Sequence, residues 1–352
     1  MRRDRRSVRL VASSLPCATS ARSIHSLHTC LSMPLTRPIL MALALLSALA
    51  MAPTHALRAQ AAPQPAVLVT GASSGIGRVI AERLAKEGFF VYAGARQADD
   101  IAALSAIPNM RGVRLDVTST ADVAAVAKQI QADGRGLYGL VNNAGVATGG
   151  PLIATDDAEL TRVLDVNVVG PLRVTRGMAP LLLASKGRVV TISSISGILS
   201  GAMLGVYSMS KHAVEAFGDA LGVELAGLGV TSSLIEPGNY RSEIGRNTMA
   251  AAVAAAERAK GTPFETPMQN FVRAMGNYDS YAPPDSVASA ALHAFTAPQP
   301  RPRYMVVPAE AQATVTIRKA MEEMVQLNHG HQFSYDRAAL IKMLDEALAR
   351  AK

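Results

Sequence analysis

A chain of 352 residues has room for more than one domain, and a formal net charge of +8 points to a nucleic-acid partner until it is partitioned. Residues 1–60 hold eight arginines against one aspartate, a net +7, whereas the remainder carries 27 basic and 26 acidic residues. The bulk of the chain is therefore nearly neutral and gives no support for a DNA or RNA partner, and with both cysteines (Cys17 and Cys30) inside the first 60 residues it has no disulfide to rely on.

Those first residues read as a secretory leader. Arg37 precedes an apolar run over 39–51, and Ala59-Gln60-Ala61 supplies a small-x-small cleavage pattern before Ala62. The run is too short to span a bilayer comfortably, so no stable membrane span is expected. Translation from Met33 suits the signal best and makes 1–32 an overlong gene start; initiation at Met51 would delete the signal and leave the protein in the cytoplasm. Export to the periplasm is the expectation. The expected organisation is a leader over 1–61 and one folded domain over 62–352, with a core at 66–307 and a helical extension at 308–352. Uninterrupted α/β alternation from 66 to 307 leaves space for a single large core.

The first predicted element is the apolar strand Ala66-Val67-Leu68-Val69-Thr70, followed at once by Gly71-Ala72-Ser73-Ser74-Gly75-Ile76-Gly77. Ile80, Leu84 and Ala85 then recur at helical spacing up to Gly88, where the helix stops. Strand, glycine turn and helix in this order form a dinucleotide site. Gly71 permits the tight turn, Gly75 admits the pyrophosphate close to the backbone, and Gly77 lets the helix pack on the strand, so that phosphates meet free N–H groups at the helix N-terminus. The glycines are spaced G-x-x-x-G-x-G, not G-x-G-x-x-G. Ser73, Ser74 and Ile76 belong to the same cradle.

The second strand ends at Ala93-Gly94-Ala95-Arg96. An acid normally stands there to hold the ribose hydroxyls of NAD, whereas an arginine accommodates the 2′-phosphate of NADP. Ala95 has no carboxylate and Arg96 follows it, so NADP(H) is favoured over NAD(H); the competing reading makes Arg96 a solvated loop residue beside Asp99 and Asp100. Asp116 and Val117 follow the third strand, where Asp116 can also serve as a helix-start signal before Thr118–Asp122. Farther on, Tyr207-Ser208-Met209-Ser210-Lys211 places a phenol and an ammonium four residues apart on one helical face. Lys211 is expected to favour the phenolate, making Tyr207 an acid/base near neutral pH.

Thr-Gly-Ala-Ser-Ser-Gly-Ile-Gly at 70–77 and Tyr-x-x-x-Lys at 207–211 resemble the short-chain dehydrogenases/reductases. Further segments match in order: Asn142-Asn143-Ala144-Gly145; Asn167 within Asp165–Gly170; Ser194, thirteen residues before Tyr207; and Pro237-Gly238. The wording Val-Glu-Ala-Phe-Gly-Asp-Ala-Leu after Lys211 and Leu-Ile-Glu-Pro-Gly-Asn-Tyr at 234–240 is similar to the retinol dehydrogenase and 17β-hydroxysteroid dehydrogenase branch.

The resemblance implies a single Rossmann-type, doubly wound parallel sheet with helices on both faces, followed by C-terminal helices. It implies Asn167, Ser194, Tyr207 and Lys211 as catalytic residues, and Asn143, Ala144, Gly145, Asp116, Val117, Pro237 and Gly238 as cofactor contacts together with the glycine turn. Ser242 stands near the place of a family threonine and is expected to hydrogen-bond the nicotinamide carboxamide. Tyr207 would exchange the proton, Ser194 would donate to the carbonyl oxygen, Lys211 would lower the Tyr207 pKa and contact the ribose, and Asn167 would hold a water. Read without the resemblance, Ser194 could satisfy a strand end and Asn167 could cap or kink its helix.

The implied activity is interconversion of an alcohol with a ketone or aldehyde, on an apolar small molecule; reduction of a 3-oxoacyl thioester is the alternative, and a non-catalytic dinucleotide sensor a distant third. Met249–Ala259 and Phe264–Met275 are predicted helices of a substrate cover, and Met203, Met209, Met249 and Met275 are candidates to line an apolar pocket. Arg303–Val307 reads as the last strand, and two amphipathic helices near 309–328 and 335–351 finish the chain. His329-Gly330-His331 between them lacks an acidic or cysteine companion, and no metal is expected. The family commonly forms dimers or tetramers by pairing helices that correspond to 156–185 and 203–229.

Overall fold

The computed structural model describes residues 64–350, apart from Asn277. The leader, its start-site alternatives and both cysteines lie outside the described residues.

The chain alternates strand and helix. β1 (Ala66–Val69), β2 (Phe90–Ala95), β3 (Met110–Arg114), β4 (Gly139–Asn142), β5 (Arg188–Ile192), β6 (Thr231–Pro237) and β7 (Arg303–Val306) form one sheet in the order β3-β2-β1-β4-β5-β6-β7. Every pairing is parallel. Parallel strands need helical crossovers, and those crossovers cover both faces, which is why β1 is apolar at every position and wholly buried.

Alternate side chains sort the core into two layers. Val67, Val69 and Val91 pack with α1 (Gly75–Lys86), α2 (Ala98–Ser105) and α9 (Asp285–Thr296), through Ile80, Leu84, Leu104, Val287 and Phe295. Leu68, Tyr92 and Leu140 point the other way, onto α3 (Thr120–Ala132) and α5 (Gly170–Ser185), through Val126, Ile130, Val174 and Met178. α4 (Asp157–Leu164) leads into α5, and α6 (Gly205–Ala226) covers the β5–β6 side of the second layer. There Gly218 sits so close to the sheet that an added Cβ would lie 2.5 Å from Leu234 Cδ2. The chain winds outward in opposite directions from β1 and β4, so a crevice opens at their carboxyl ends.

Three boundaries differ from the sequence reading. The predicted helix over 156–185 is interrupted by a wide, π-helical turn at Asp165–Val169. The covering helices are α7 (Glu243–Arg258) and α8 (Glu265–Met275); α7 begins six residues before the expected Met249 because Ser242 caps it. β7 stops at Val306. The chain ends in α10 (Glu310–Asn328) and α11 (Arg337–Arg350), with His329 and His331 in their link. Among the described residues no helix is long and apolar enough to cross a membrane, and no cluster of three His, Cys, Asp or Glu side chains is arranged to hold a metal.

Candidate active site

The glycine turn owes its shape to two left-handed residues, Gly71 (φ +64°) and Gly75 (φ +54°), a region costly for other side chains. Gly77 is required for a different reason: a Cβ there would lie 2.2 Å from Asn143 Nδ2 and 2.3 Å from the Gly71 carbonyl. Asn143 fills that space and donates from Nδ2 to the carbonyls of Thr70 (2.9 Å) and Gly71 (3.1 Å). Thr70, which the sequence reading quoted in the motif without a role, is the other half of the clasp. Its hydroxyl accepts from the backbone N–H of Asn143 (2.9 Å) and Ala144 (3.0 Å) and donates to the Val141 carbonyl, locking the ends of β1 and β4 together. Its signal was present as a threonine directly before Gly71.

Ser74, the extended residue preceding α1, places no side-chain cap on the helix, and the first turn contains no acid. The leading N–H groups thus remain available for phosphate oxygens, reinforced by the helix dipole. A cleft of about 280 Å³ runs from this turn across the sheet. It is lined by Gly71, Ser73, Ser74, Gly75, Ile76 and Gly77 at one end, by Arg96, Asp116 and Val117 along one rim, and by Asn143, Ala144 and Gly145 beneath. Ser194, Tyr207, Lys211, Pro237, Gly238 and Ser242 line its far end. Every residue expected at the site except Asn167 therefore borders one cleft, and its shape and free N–H groups fit a dinucleotide.

Arg96 is exposed at the rim, while Asp99 and Asp100 occupy the first turn of α2, where they face the helix N-terminus. Asp116 Oδ1 accepts from the Thr118 N–H (2.9 Å) and hydroxyl (2.7 Å), so it closes a turn as well as bordering the cleft; the α3 cap itself is Ser119. Burial opposes ionisation of Asp116, but the Thr118 bonds and the nearby Arg96 and Arg114 charges prevail and hold its carboxyl below the usual range. Ser242 likewise has two roles: its Oγ accepts from the Gly245 N–H (3.3 Å), and its Cβ faces Gly75 across the cleft.

Asn167 lies just behind the lining, in the wide turn between α4 and α5, and is 2% exposed. Its Oδ1 accepts from the Val146 N–H and its Nδ2 donates to the Val146 carbonyl, both at 2.8 Å, with a further bond to Ser210 Oγ at 2.9 Å. One amide thus ties the loop after β4 to α6, one residue before Lys211.

Ser194 follows β5 by two residues, at the start of a short 3-10 turn, and its Oγ accepts from the Ser196 N–H. Its hydroxyl also interacts with Tyr207, and Lys211 Nζ donates to the Ile192 carbonyl at 2.9 Å, 5.7 Å from the Tyr207 ring centroid. The expected depression of the Tyr207 pKa by Lys211 is not what this geometry gives. Burial pushes the phenol up, with Ser194 partly opposing, and burial also draws Lys211 down to about 8, so the ammonium is itself poorly supported. At neutral pH Tyr207 is a phenol, the form that can donate a proton to a developing alkoxide.

Of the methionines expected in an apolar pocket, only Met275 lines the cavity beside Ser194 and Tyr207. Met209 is exposed, and Met203 packs against the small cluster formed by Ala252, Ala255, Ala259 and Met268.

A doubly wound parallel sheet with a phosphate-binding turn, opening onto a hydroxyl, a phenol and an ammonium, defines a dinucleotide-dependent oxidoreductase. Residues 65–252 match the short chain dehydrogenase family, and the chain belongs to it. It is 37% identical over 253 residues to an NADPH-dependent 3-dehydrocapnine reductase of Ornithobacterium rhinotracheale (68% of this chain, 87% of that one). It is 36% identical over 253 residues to mouse retinol dehydrogenase 5 (68% and 79%). The bovine mitochondrial D-beta-hydroxybutyrate dehydrogenase is 38% identical over 197 residues, a match spanning 53% of this chain and 57% of that relative. A Burkholderia phymatum short-chain dehydrogenase/reductase, solved in complex with NAD, superposes with a TM-score of 0.64 at 25% identity, covering 78% of this chain and 99% of that one. The chain is an NAD(P)-dependent oxidoreductase of the retinol and hydroxysteroid dehydrogenase-like branch, acting between alcohols and carbonyl compounds.

Proposed function

We propose that the protein interconverts an uncharged, apolar ketone or aldehyde and its alcohol with NADP(H). The observation that carries this reading is the second cavity, about 290 Å³, which opens from Ser194 and Tyr207. Leu204, Phe271, Met275, Tyr278 and Tyr281 are among its walls, and among the described residues none that lines it is Asp, Glu, Lys, Arg or His. An anionic substrate would lose its hydration there without gaining a cation, a cost of several kcal/mol, on the order of that for other unpaired buried charges.

A nicotinamide dinucleotide held in the cleft by the glycine turn, Asn143 and Lys211 would supply or accept the hydride. In reduction, negative charge develops on the carbonyl oxygen, and the Ser194 hydroxyl and the Tyr207 phenol are the donors placed to meet it. Tyr207 gives up its proton, and the Lys211 ammonium stabilises the phenolate left behind. Asn167 keeps the loop after β4 fixed against α6, so that Tyr207 and Lys211 hold their positions. The preference for NADP(H) is supported by Arg96 at the rim and the absence of an acid at Ala95.

NADPH oxidation measured with an aromatic aldehyde, a steroid ketone, a 3-oxoacyl thioester and a free 3-oxo acid tests the reading. Turnover is expected with the uncharged carbonyls and not with the free acid. Preference for the acid would overturn it, and preference for the thioester would assign a 3-oxoacyl reductase instead.

A further inference from the structure

A π-helical turn inside a helix is rare and is found mostly at functional sites, so the residues that hold the one at Asp165–Val169 bear on what it does. Asp165 opens the turn and is engaged twice. Its carbonyl accepts from the Gly170 N–H, the bond that closes the turn, and its Oδ1 accepts from Arg173 Nη2 at 2.9 Å. Arg173, on α5, is drawn inward, with its side chain 14% exposed. Its other arm, Nη1, donates to the Val117 carbonyl at 2.6 Å. One guanidinium fork thus joins the start of the wide turn to the segment that follows β3, 56 positions away from the arginine in sequence.

Both ends of this fork reach the wall of the cofactor cleft. Val117 borders the cleft beside Asp116, and Val166, the second residue of the turn, borders it beside Val146, whereas Arg173 lies outside that lining. Gly170 makes the same join by packing: a Cβ there would stand 2.9 Å from Val117 Cγ2 and 3.4 Å from the Asp165 carbonyl oxygen. Val117 is therefore fixed against the turn twice, by its side chain on Gly170 and by its carbonyl on Arg173. Asn167 follows Val166 directly and carries the bonds to Val146 and to Ser210 on α6. A slip of the turn relative to Val117 would open the cleft wall and draw Asn167 away from α6 in one movement.

We propose that Arg173 is a positioning residue for the cofactor and for the reaction: by fastening the Val117 carbonyl to Asp165 it keeps the rim that bears Arg96 and Asp116 in register with the turn that carries Asn167. A planar fork with two donors suits two acceptors on separate segments, which a lysine ammonium on a flexible stem does not reproduce. The inference rests on reading the cleft as a dinucleotide site and Asn167 as the group that fixes the loop after β4 against α6. Arg96 and Arg173 then have different signatures. Arg96 meets only a 2′-phosphate, while Arg173 supports a wall that NADPH and NADH share.

Arg173→Met keeps the apolar stem and removes both donors. Fluorescence titration of the full-length protein is expected to show NADPH and NADH weakened by the same factor, about tenfold, the scale of one lost hydrogen bond from a charged donor. Single-turnover hydride transfer at saturating cofactor, with whichever carbonyl the wild type reduces, is expected to slow by about tenfold in the otherwise wild-type protein and by less than about twofold when Asn167 is already Ala, because a residue that acts through Asn167 then has nothing left to position. A brace that served stability alone would lower the unfolding temperature and leave both readouts at their wild-type values. Because binding is read without substrate and with both cofactors, an error in the substrate class or in the cofactor preference leaves that arm intact.

Equal weakening of the two cofactors together with a transfer loss that Asn167→Ala absorbs supports the proposal. Affinities within about twofold of wild type, a loss confined to NADPH, or a transfer loss undiminished by Asn167→Ala overturns it. If Arg173→Met does not fold, Asp165→Ala decides: it removes the bond to the turn and leaves the one to the Val117 carbonyl, so transfer should slow while cofactor affinity is retained, and normal transfer overturns the proposal.

Discussion

Tyr207 and Lys211 were legible because four-residue spacing on a helix is a local property, whereas the state of their protons was not. The sequence places an ammonium beside a phenol and implies a lowered phenol pKa; the fold adds burial, which raises Tyr207 and draws Lys211 down to about 8. A lysine whose folded value lies below its unfolded value of about 10.4 costs stability wherever the unfolded chain holds its proton, because the folded chain binds that proton more weakly. That cost is fully present below about pH 8 and disappears as pH rises past about 10.4. Lys211→Met is therefore expected to stabilise the cofactor-free protein at pH 7 by about 2 kcal/mol, after allowing about 1 kcal/mol for the unpaired Ile192 carbonyl, while abolishing turnover. Urea unfolding of the two proteins checks the sign, and a less stable variant would show that burial does not penalise this charge. At the cleft rim, Arg96→Ala is expected to weaken NADPH binding by about tenfold or more and to leave NADH within about twofold, because only NADPH offers a 2′-phosphate for a charge-assisted bond. Fluorescence titration with both cofactors measures this, and equal losses would remove Arg96 as the reader.

Elements were legible where the pattern is periodic and obscure where a long-range contact sets the boundary. β1 and the glycine turn could be read directly, since an apolar run and glycines with left-handed φ leave few alternatives. The early start of α7 rests on a local cap, Ser242 to the Gly245 N–H, at a serine read only as a cofactor contact, whereas the wide turn at Asp165–Val169 presents Asn167 to Val146 and Ser210, a long-range arrangement with no local signature. The clasp between Thr70 and Asn143 is similar: the two residues are 73 positions apart and meet only because β1 pairs with β4. Gly77→Ala would drive a methyl group into this clasp. The expected result is a loss of about 1–3 kcal/mol of stability, the usual cost of overpacking, accompanied by weaker binding of both cofactors equally. Thermal unfolding and the same fluorescence titrations test it; wild-type stability would mean that Asn143 can move away without cost.

At the scale of the whole molecule, the C-terminal extension does more than finish the chain. Gln312, near the start of α10, accepts from the Asn239 N–H at 2.9 Å, so the extension braces the Pro237–Asn239 loop at the end of the cleft. α11 has no buried residue, and the amphipathic pattern that identified both helices could not tell which would dock. Leu172 and Leu183 on α5 and Met209 and Val223 on α6 are 40–82% exposed, on the helices expected to pair between subunits. Sedimentation of the full-length protein is expected to show a dimer or tetramer, and a monomer across the micromolar range would reject that pairing. Nothing else joins fold, cofactor and site as directly as hydride transfer itself. With [4-²H]NADPH and an uncharged aryl ketone, full-length protein is expected to place deuterium on the alcohol carbon, and Tyr207→Phe to bind the cofactor within a few-fold while slowing the transfer by about 10²–10⁴. Near-normal transfer by Tyr207→Phe, or none by the wild type with any uncharged carbonyl, would contradict it.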